Sequence, residues 1–220
     1  FYDMNGSLFI NFGPKVKTKI TGYMGQDGLV TVDANNSLTN NIAWGNKALS
    51  SNTSIAINNN IESNLALSYS GHDYFFQTSF QQYDLQIESY YKSYNLKYYF
   101  DQQTKLGNKW TYGIENNLID LIPNSKSTSE EMFSYEYNDD NVFLLNTLSA
   151  FLEQERKLGN QYTLNIGGRL NYYNHLGAYN YYVSNNFNQI IDTLNFDRFD
   201  IVSSNLNFSP RINIKKNIDS

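Results

Sequence analysis

Between Leu206 and Ile214 the chain alternates: Leu206, Phe208, Pro210, Ile212 and Ile214 fall on one parity, and Asn205, Asn207, Ser209, Arg211, Asn213 and Lys215 on the other. Successive side chains of an extended strand point to opposite faces, so this pattern is one apolar and one polar face. It recurs upstream. Tyr162, Leu164, Ile166, Leu170 and Tyr172 oppose Thr163, Asn165, Arg169 and Asn171, while Trp110, Tyr112, Ile114 and Leu118 oppose Thr111, Gly113, Glu115 and Asn117. Tyr94, Leu96, Tyr98 and Phe100 oppose Asn95, Lys97 and Asp101, with Tyr99 on the polar side. Met4, Leu8, Ile10 and Phe12 make another apolar stripe, and so do Val16, Ile20 and Met24, and, less cleanly, Leu144, Leu148, Ala150 and Leu152.

The pattern predicts about nine strands, near 3–12, 16–24, 42–57, 64–76, 89–101, 109–121, 142–155, 161–173 and 204–215. Several reach the roughly 9–11 residues that a tilted strand needs to cross a bilayer. The connections at 13–15, 58–62, 103–107 and 157–159 are short, and polar stretches at 25–41, 77–88, 122–141 and 174–203 are long. Short and long connections alternating along the chain are what an up-and-down transmembrane barrel requires, with tight turns on one side of the membrane and long loops on the other. The expected fold is therefore all-β, an antiparallel up-and-down transmembrane β-barrel. About nine strands make only part of the wall of a large one. The chain starts within strand-like sequence and stops in a turn-like one, so we expect a fragment of that barrel, spanning 1–220, with both ends missing.

Composition supports strands over helices. The 220 residues include 19 Tyr and 14 Phe but only 3 Pro, together with abundant Asn and Ser. Aromatic residues favour strands and Asn favours turns. Mean hydropathy is −0.54, and no run of about 18 apolar residues exists for a membrane-crossing helix, whereas barrel strands show only alternate residues to lipid. There is no Cys, which excludes thiolate metal sites and cysteine nucleophiles, and a net charge of −5 argues against a nucleic-acid partner.

Candidate chemistry is sparse. His72 and His175 are isolated, and no metalloprotease helix motif, nucleophile elbow, Walker loop or dinucleotide turn is present. We expect no enzyme activity, no cofactor and no resident metal. The stretch around 122–141 carries the acids Glu130, Glu131, Asp139 and Asp140 beside Phe133, Tyr135 and Tyr137, either a solvated acidic loop or oxygen ligands for Ca²⁺ without EF-hand spacing. The stretch 174–203 holds Tyr179, Tyr181, Tyr182 and Phe187 among Asn residues, where flat rings either pack on one another or stack on a ligand. Candidate ligand contacts are Tyr135, Tyr137, Asp139, Asp140, Tyr181 and Tyr182. Arg169 and Arg211 sit on polar faces and are expected to face the lumen, because an arginine toward lipid near the midplane costs about 2–4 kcal/mol.

The run Tyr162 to Tyr173, reading YTLNIGGRLNYY, followed by Asn207-Phe208-Ser209-Pro210-Arg211-Ile212, resembles a paired-strand signature of TonB-dependent outer-membrane receptors. Ala150 to Glu155 resembles the strand that precedes this pair. Ile42 to Asn46 and Ser68 to Tyr74 resemble upstream barrel strands of the nutrient-importing SusC-like branch. The resemblance implies a barrel of 22 strands, the plugged-lumen class of outer-membrane transporter, with a plug that lies outside this segment. It further implies a place in the cell outer membrane among lipid, energy drawn from TonB through that plug, and a scarce or bulky nutrient as cargo, such as an oligosaccharide, peptide or metal chelate. A surface lipoprotein is a further partner it allows. The alternative is a non-transporting surface β-protein, an adhesin or a component of a larger complex, and an outer-membrane hydrolase is a third reading that lacks a nucleophile–base pair.

Overall fold

A computed structural model describes residues 1–34, 38–81, 83–105, 107–129, 142–159, 161–187 and 189–216. The strands are β1 (Tyr2–Phe12), β2 (Val16–Val32), β3 (Leu38–Asn58), β4 (Ile61–Phe80), β5 (Tyr83–Gln103), β6 (Lys109–Ser129), β7 (Phe143–Leu158), β8 (Tyr162–Leu176), β9 (Tyr179–Ser184), β10 (Ile190–Phe196) and β11 (Ile201–Lys216). No helix occurs among the described residues. Nine strands form one antiparallel sheet in the order β1-β2-β3-β4-β5-β6-β7-β8-β11, and β9 and β10 form a separate two-stranded hairpin. Every strand of the large sheet coincides with one of those expected from alternation. The sheet is not closed, and β1 and β11 are its two edges.

The register aligns the faces across all nine strands. Residues directly opposite in an antiparallel ladder share a face. One such row runs Leu8, Ile20, Ser51, Leu67, Leu96, Asn116, Leu148, Tyr172 and Leu206. The row beside it on the other face runs Ser7, Thr21, Ser50, Ser68, Asn95, Asn117, Thr147, Tyr173 and Asn205. A slip of one residue at any pair would place an apolar stripe among polar ones, so alternation and register specify each other. Several polar side chains on the apolar face pair with one another: Thr18 and Thr53 hydroxyls lie 3.0 Å apart, Ser63 donates to the Tyr98 hydroxyl at 3.1 Å, and Asn146 donates to Asn116 at 2.7 Å.

The apolar face has no second layer on it. Only Leu144, Phe151 and Leu176 are buried hydrophobics among the described residues, while Phe208, Ile212 and Ile214 are 64%, 71% and 64% exposed. A folded domain hides its apolar sheet face against another element, and this sheet leaves its own uncovered.

Strand lengths correct the expected loops. β2 continues to Val32 and β3 starts at Leu38, so most of the 25–41 stretch is strand; β4 and β5 reach Phe80 and Tyr83, leaving almost none of 77–88 as connection. β6 runs on to Ser129, into the 122–141 stretch, and 174–203 contains β9 and β10. The contrast in connection length between the two ends is therefore largely a contrast in how far strands overshoot the apolar stripe. β3, β5 and β6 have 21 residues each, about 70 Å at roughly 3.3 Å per residue. Alternation is silent there, while the backbone hydrogen bonds to neighbouring strands continue regardless. At the opposite end Gly13, Gly107 and Gly159 take positive φ of 80°, 77° and 67° in the tight turns, a region glycine enters without a Cβ penalty.

Candidate functional site on the polar face

The polar face of β5, β6, β7 and β8 carries a connected side-chain network. Glu115 on β6 accepts from Asn95 Nδ2 at 2.8 Å through Oε1 and from Arg169 Nη1 at 2.9 Å through Oε2. Arg169, on β8, reaches over the intervening β7 to do so. Its Nε donates to Asn171 Oδ1 at 2.8 Å, and the same oxygen accepts from the buried Ser149 hydroxyl at 2.8 Å. Phe151 lies beneath this span, with the Lys97 ammonium 4.8 Å and the Arg169 guanidinium 5.9 Å from its ring centroid. Two cations beside one aromatic face and one carboxylate leave this centre with an excess of positive charge.

Arg211 is on the polar face, as expected, but more loosely held: it pairs with Glu153 at 3.5 Å and is 72% exposed. With Lys109, Glu153, Glu155, Asn165 and Gly167 it borders a depression of about 360 Å³. Replacement of Arg169 by methionine strands Glu115, whose side chain is 19% exposed, with one donor fewer. The expected loss is about 2 kcal/mol, whereas Arg211→Met is expected to stay within about 0.5 kcal/mol because an exposed pair contributes little. Urea unfolding midpoints of the two variants test the difference.

Tyr181 and Tyr182 are on β9 rather than in a loop, and neighbouring strand positions put them on opposite faces. Tyr181 pairs with Leu194 and Tyr182 with Thr193, both half exposed, so they do not converge on one point. Tyr135, Tyr137, Asp139 and Asp140 lie outside the described residues. His72 binds Asn46 at 2.9 Å, while His175 packs between the rings of Phe143 and Tyr179. Among the described residues no group of three or more His, Cys, Asp or Glu is placed to hold a metal ion.

The residues that alternation does not single out are the partners: Asn95, Glu115, Ser149, Phe151 and Asn171. Each is a polar-face position, so the face is legible. The meeting of Arg169 with Glu115 requires the pairing register of β6, β7 and β8. These features define the chain as an all-β protein built on a nine-stranded antiparallel meander with one apolar face, one polar face and a charged network on the latter. No protein-family model, curated protein or solved structure matches it.

Proposed function

We propose that this chain is part of the wall of a transmembrane β-barrel in the cell outer membrane, and that the barrel is a TonB-dependent receptor importing a scarce or bulky nutrient. The observation that carries the membrane reading is the uncovered apolar face, continuous across nine registered strands and with several of its polar side chains paired with one another. Water does not tolerate an apolar surface of that extent on a stable protein, and lipid does. On this reading the charged network faces the lumen, the glycine turns face the periplasm, and the long strand extensions and the β9–β10 hairpin stand outside the cell. The receptor assignment draws on the sequence resemblance of the β8 and β11 segments. The adhesin reading is favoured by the exposed apolar side chains of the hairpin, Phe187, Ile190 and Ile191 among them.

The intact protein is expected to sediment with the outer membrane and to need detergent for release; recovery in the soluble fraction after cell breakage would end the membrane reading. Spin labels at Leu164 and Ile212 should be quenched by lipid-soluble agents and labels at Asn165 and Asn213 by water-soluble ones, and the reverse outcome would invert the faces. Replacing 177–200 with a short turn separates transport from adhesion. The shortened receptor should stay assembled and lose growth on a nutrient that requires the intact protein, whereas lost surface adhesion with growth intact would favour the alternative.

A further inference from the structure

At the end of the sheet that carries the glycine turns, charge is sorted by face. The acids Glu62, Asp101, Glu153 and Glu155 all stand on the polar side: Asp101 is opposite Glu62 and Thr111, Thr111 is opposite Glu153, and Lys109 is opposite Glu155. Two of them hold cations there, Asp101 with Lys109 at 3.1 Å and Glu153 with Arg211 at 3.5 Å. Among the described residues, the apolar side of the strands at this end carries two charges, and both are positive. Arg156 of β7 stands opposite Leu164 and Lys216 of β11 opposite Tyr162, so the two flank β8 on its apolar face. Their chain neighbours Lys157 and Lys215 both stand opposite Thr163, on the polar face. Lys216 leans over β8, its ammonium 5.7 Å from the Tyr162 ring centroid, and neither it nor Arg156 forms an ion pair among the described residues. Exposed Lys15 and Lys105, in two other turns of this end, add positive charge to the same rim. Acids on the apolar side belong to the opposite end, where Asp73 binds Lys47 at 3.3 Å and Asp120 stands opposite Lys92. From the cation pair toward the middle of the stripe, Ile166, Ile212 and Ile214 are all exposed.

We propose that Arg156 and Lys216 bind the phosphate of an anionic phospholipid in the leaflet that meets the turns, with the acyl chains along Ile166, Ile212 and Ile214. The assignment rests on the proposed membrane placement, which sets the apolar face against lipid and the turns at the periplasmic, phospholipid side. Two ladders separate β7 from β11, about 10 Å, and the two residues are two positions out of step, so their Cα atoms lie about 12 Å apart. An arginine and a lysine reaching in from both sides of β8 close that gap onto one phosphate, their aliphatic stems lying along apolar surface and their charged ends at headgroup level. Charge complementarity selects the lipid class. The guanidinium takes a phosphate through paired N–H groups and the ammonium adds a point charge. A headgroup amine would meet two cations and no acid on this face, so a lipid of net negative charge is held in preference to a zwitterionic one.

The full-length protein is placed in nanodiscs containing equal amounts of phosphatidylglycerol and phosphatidylethanolamine, released into detergent, and its retained lipids are weighed by native mass spectrometry. The expected result is about a tenfold preference for phosphatidylglycerol. Arg156→Gln combined with Lys216→Gln, both at exposed positions without ion partners, should bring the two lipids to near parity. Lys157→Gln combined with Lys215→Gln removes the same charge one residue away on the opposite face and should leave the preference intact. Insertion with no preference, or a preference that survives the Arg156 and Lys216 changes, overturns the site and leaves the membrane reading standing. An equal loss in both double variants also overturns the site, since net charge and not the apolar-face pair would then select the lipid. A protein that stays out of nanodiscs overturns the membrane reading and the site with it.

Discussion

Alanine at Gly113 should lower the unfolding free energy of the intact protein by about 3 kcal/mol or more, whereas alanine at Gly6 should change it by less than about 0.5 kcal/mol. Gly113 faces the polar side between Tyr99 of β5 and Phe151 of β7, directly opposite both. A Cβ there would lie 2.5 Å from Tyr99 Cβ, 2.7 Å from Tyr99 Cα and closer still to the Tyr98 carbonyl oxygen. All three of those atoms belong to the backbone or its first carbon, so no side-chain rotation relieves the contact and β5 must move away from β6. That displacement breaks ladder hydrogen bonds next to Glu115, the acceptor on which the polar-face network converges. At Gly6 nothing lies within 4 Å of the same added carbon. Urea titration of both variants in lipid vesicles measures the contrast, and equal midpoints would mean that β5 and β6 are not held in this register.

Arginine at Phe208 should cost about 2–4 kcal/mol in a bilayer, and arginine at the adjacent Asn207 about 1 kcal/mol at most. Both positions are exposed and consecutive on β11, so in water the two changes would be nearly equivalent. They differ in face. Phe208 stands opposite Leu170 on the apolar side, and Asn207 opposite Asn171 on the polar side. Lipid cannot solvate a guanidinium and a wet lumen can, so the difference between the two variants reads out which medium each face meets. Folding yield and urea midpoint in vesicles supply the numbers, and equal penalties for both substitutions would contradict a lipid-facing apolar side.

The residues of the sequence itself determined where the nine sheet strands cross the apolar stripe and which side of each is apolar. Leu164 beside Asn165, or Ile212 beside Arg211, carries that information locally, because the side-chain period of a strand is two whatever the strand pairs with. The tight turns are legible for an equally local reason: glycine at 13, 107 and 159 marks backbone that a Cβ would strain. Tertiary structure decided the rest. How far β2, β3, β4, β5 and β6 run beyond the stripe depends on hydrogen bonds to neighbouring strands, to which a polar, non-alternating sequence such as Gln77 to Ser79 gives no local clue. Tyr181 and Tyr182 are legible as exposed aromatics, but the β9–β10 pairing, a contact between segments several residues apart, turns them to opposite sides. Arg169 can be assigned a face from the sequence and not a partner, since Glu115 lies 54 residues earlier in the chain and meets it only because β7 pairs with both β6 and β8 and holds them two ladders apart. Asp120 and Arg198 give no signal at all. An acid on one strand and a base beyond a distant hairpin border one cavity only because the fold brings them to a common volume.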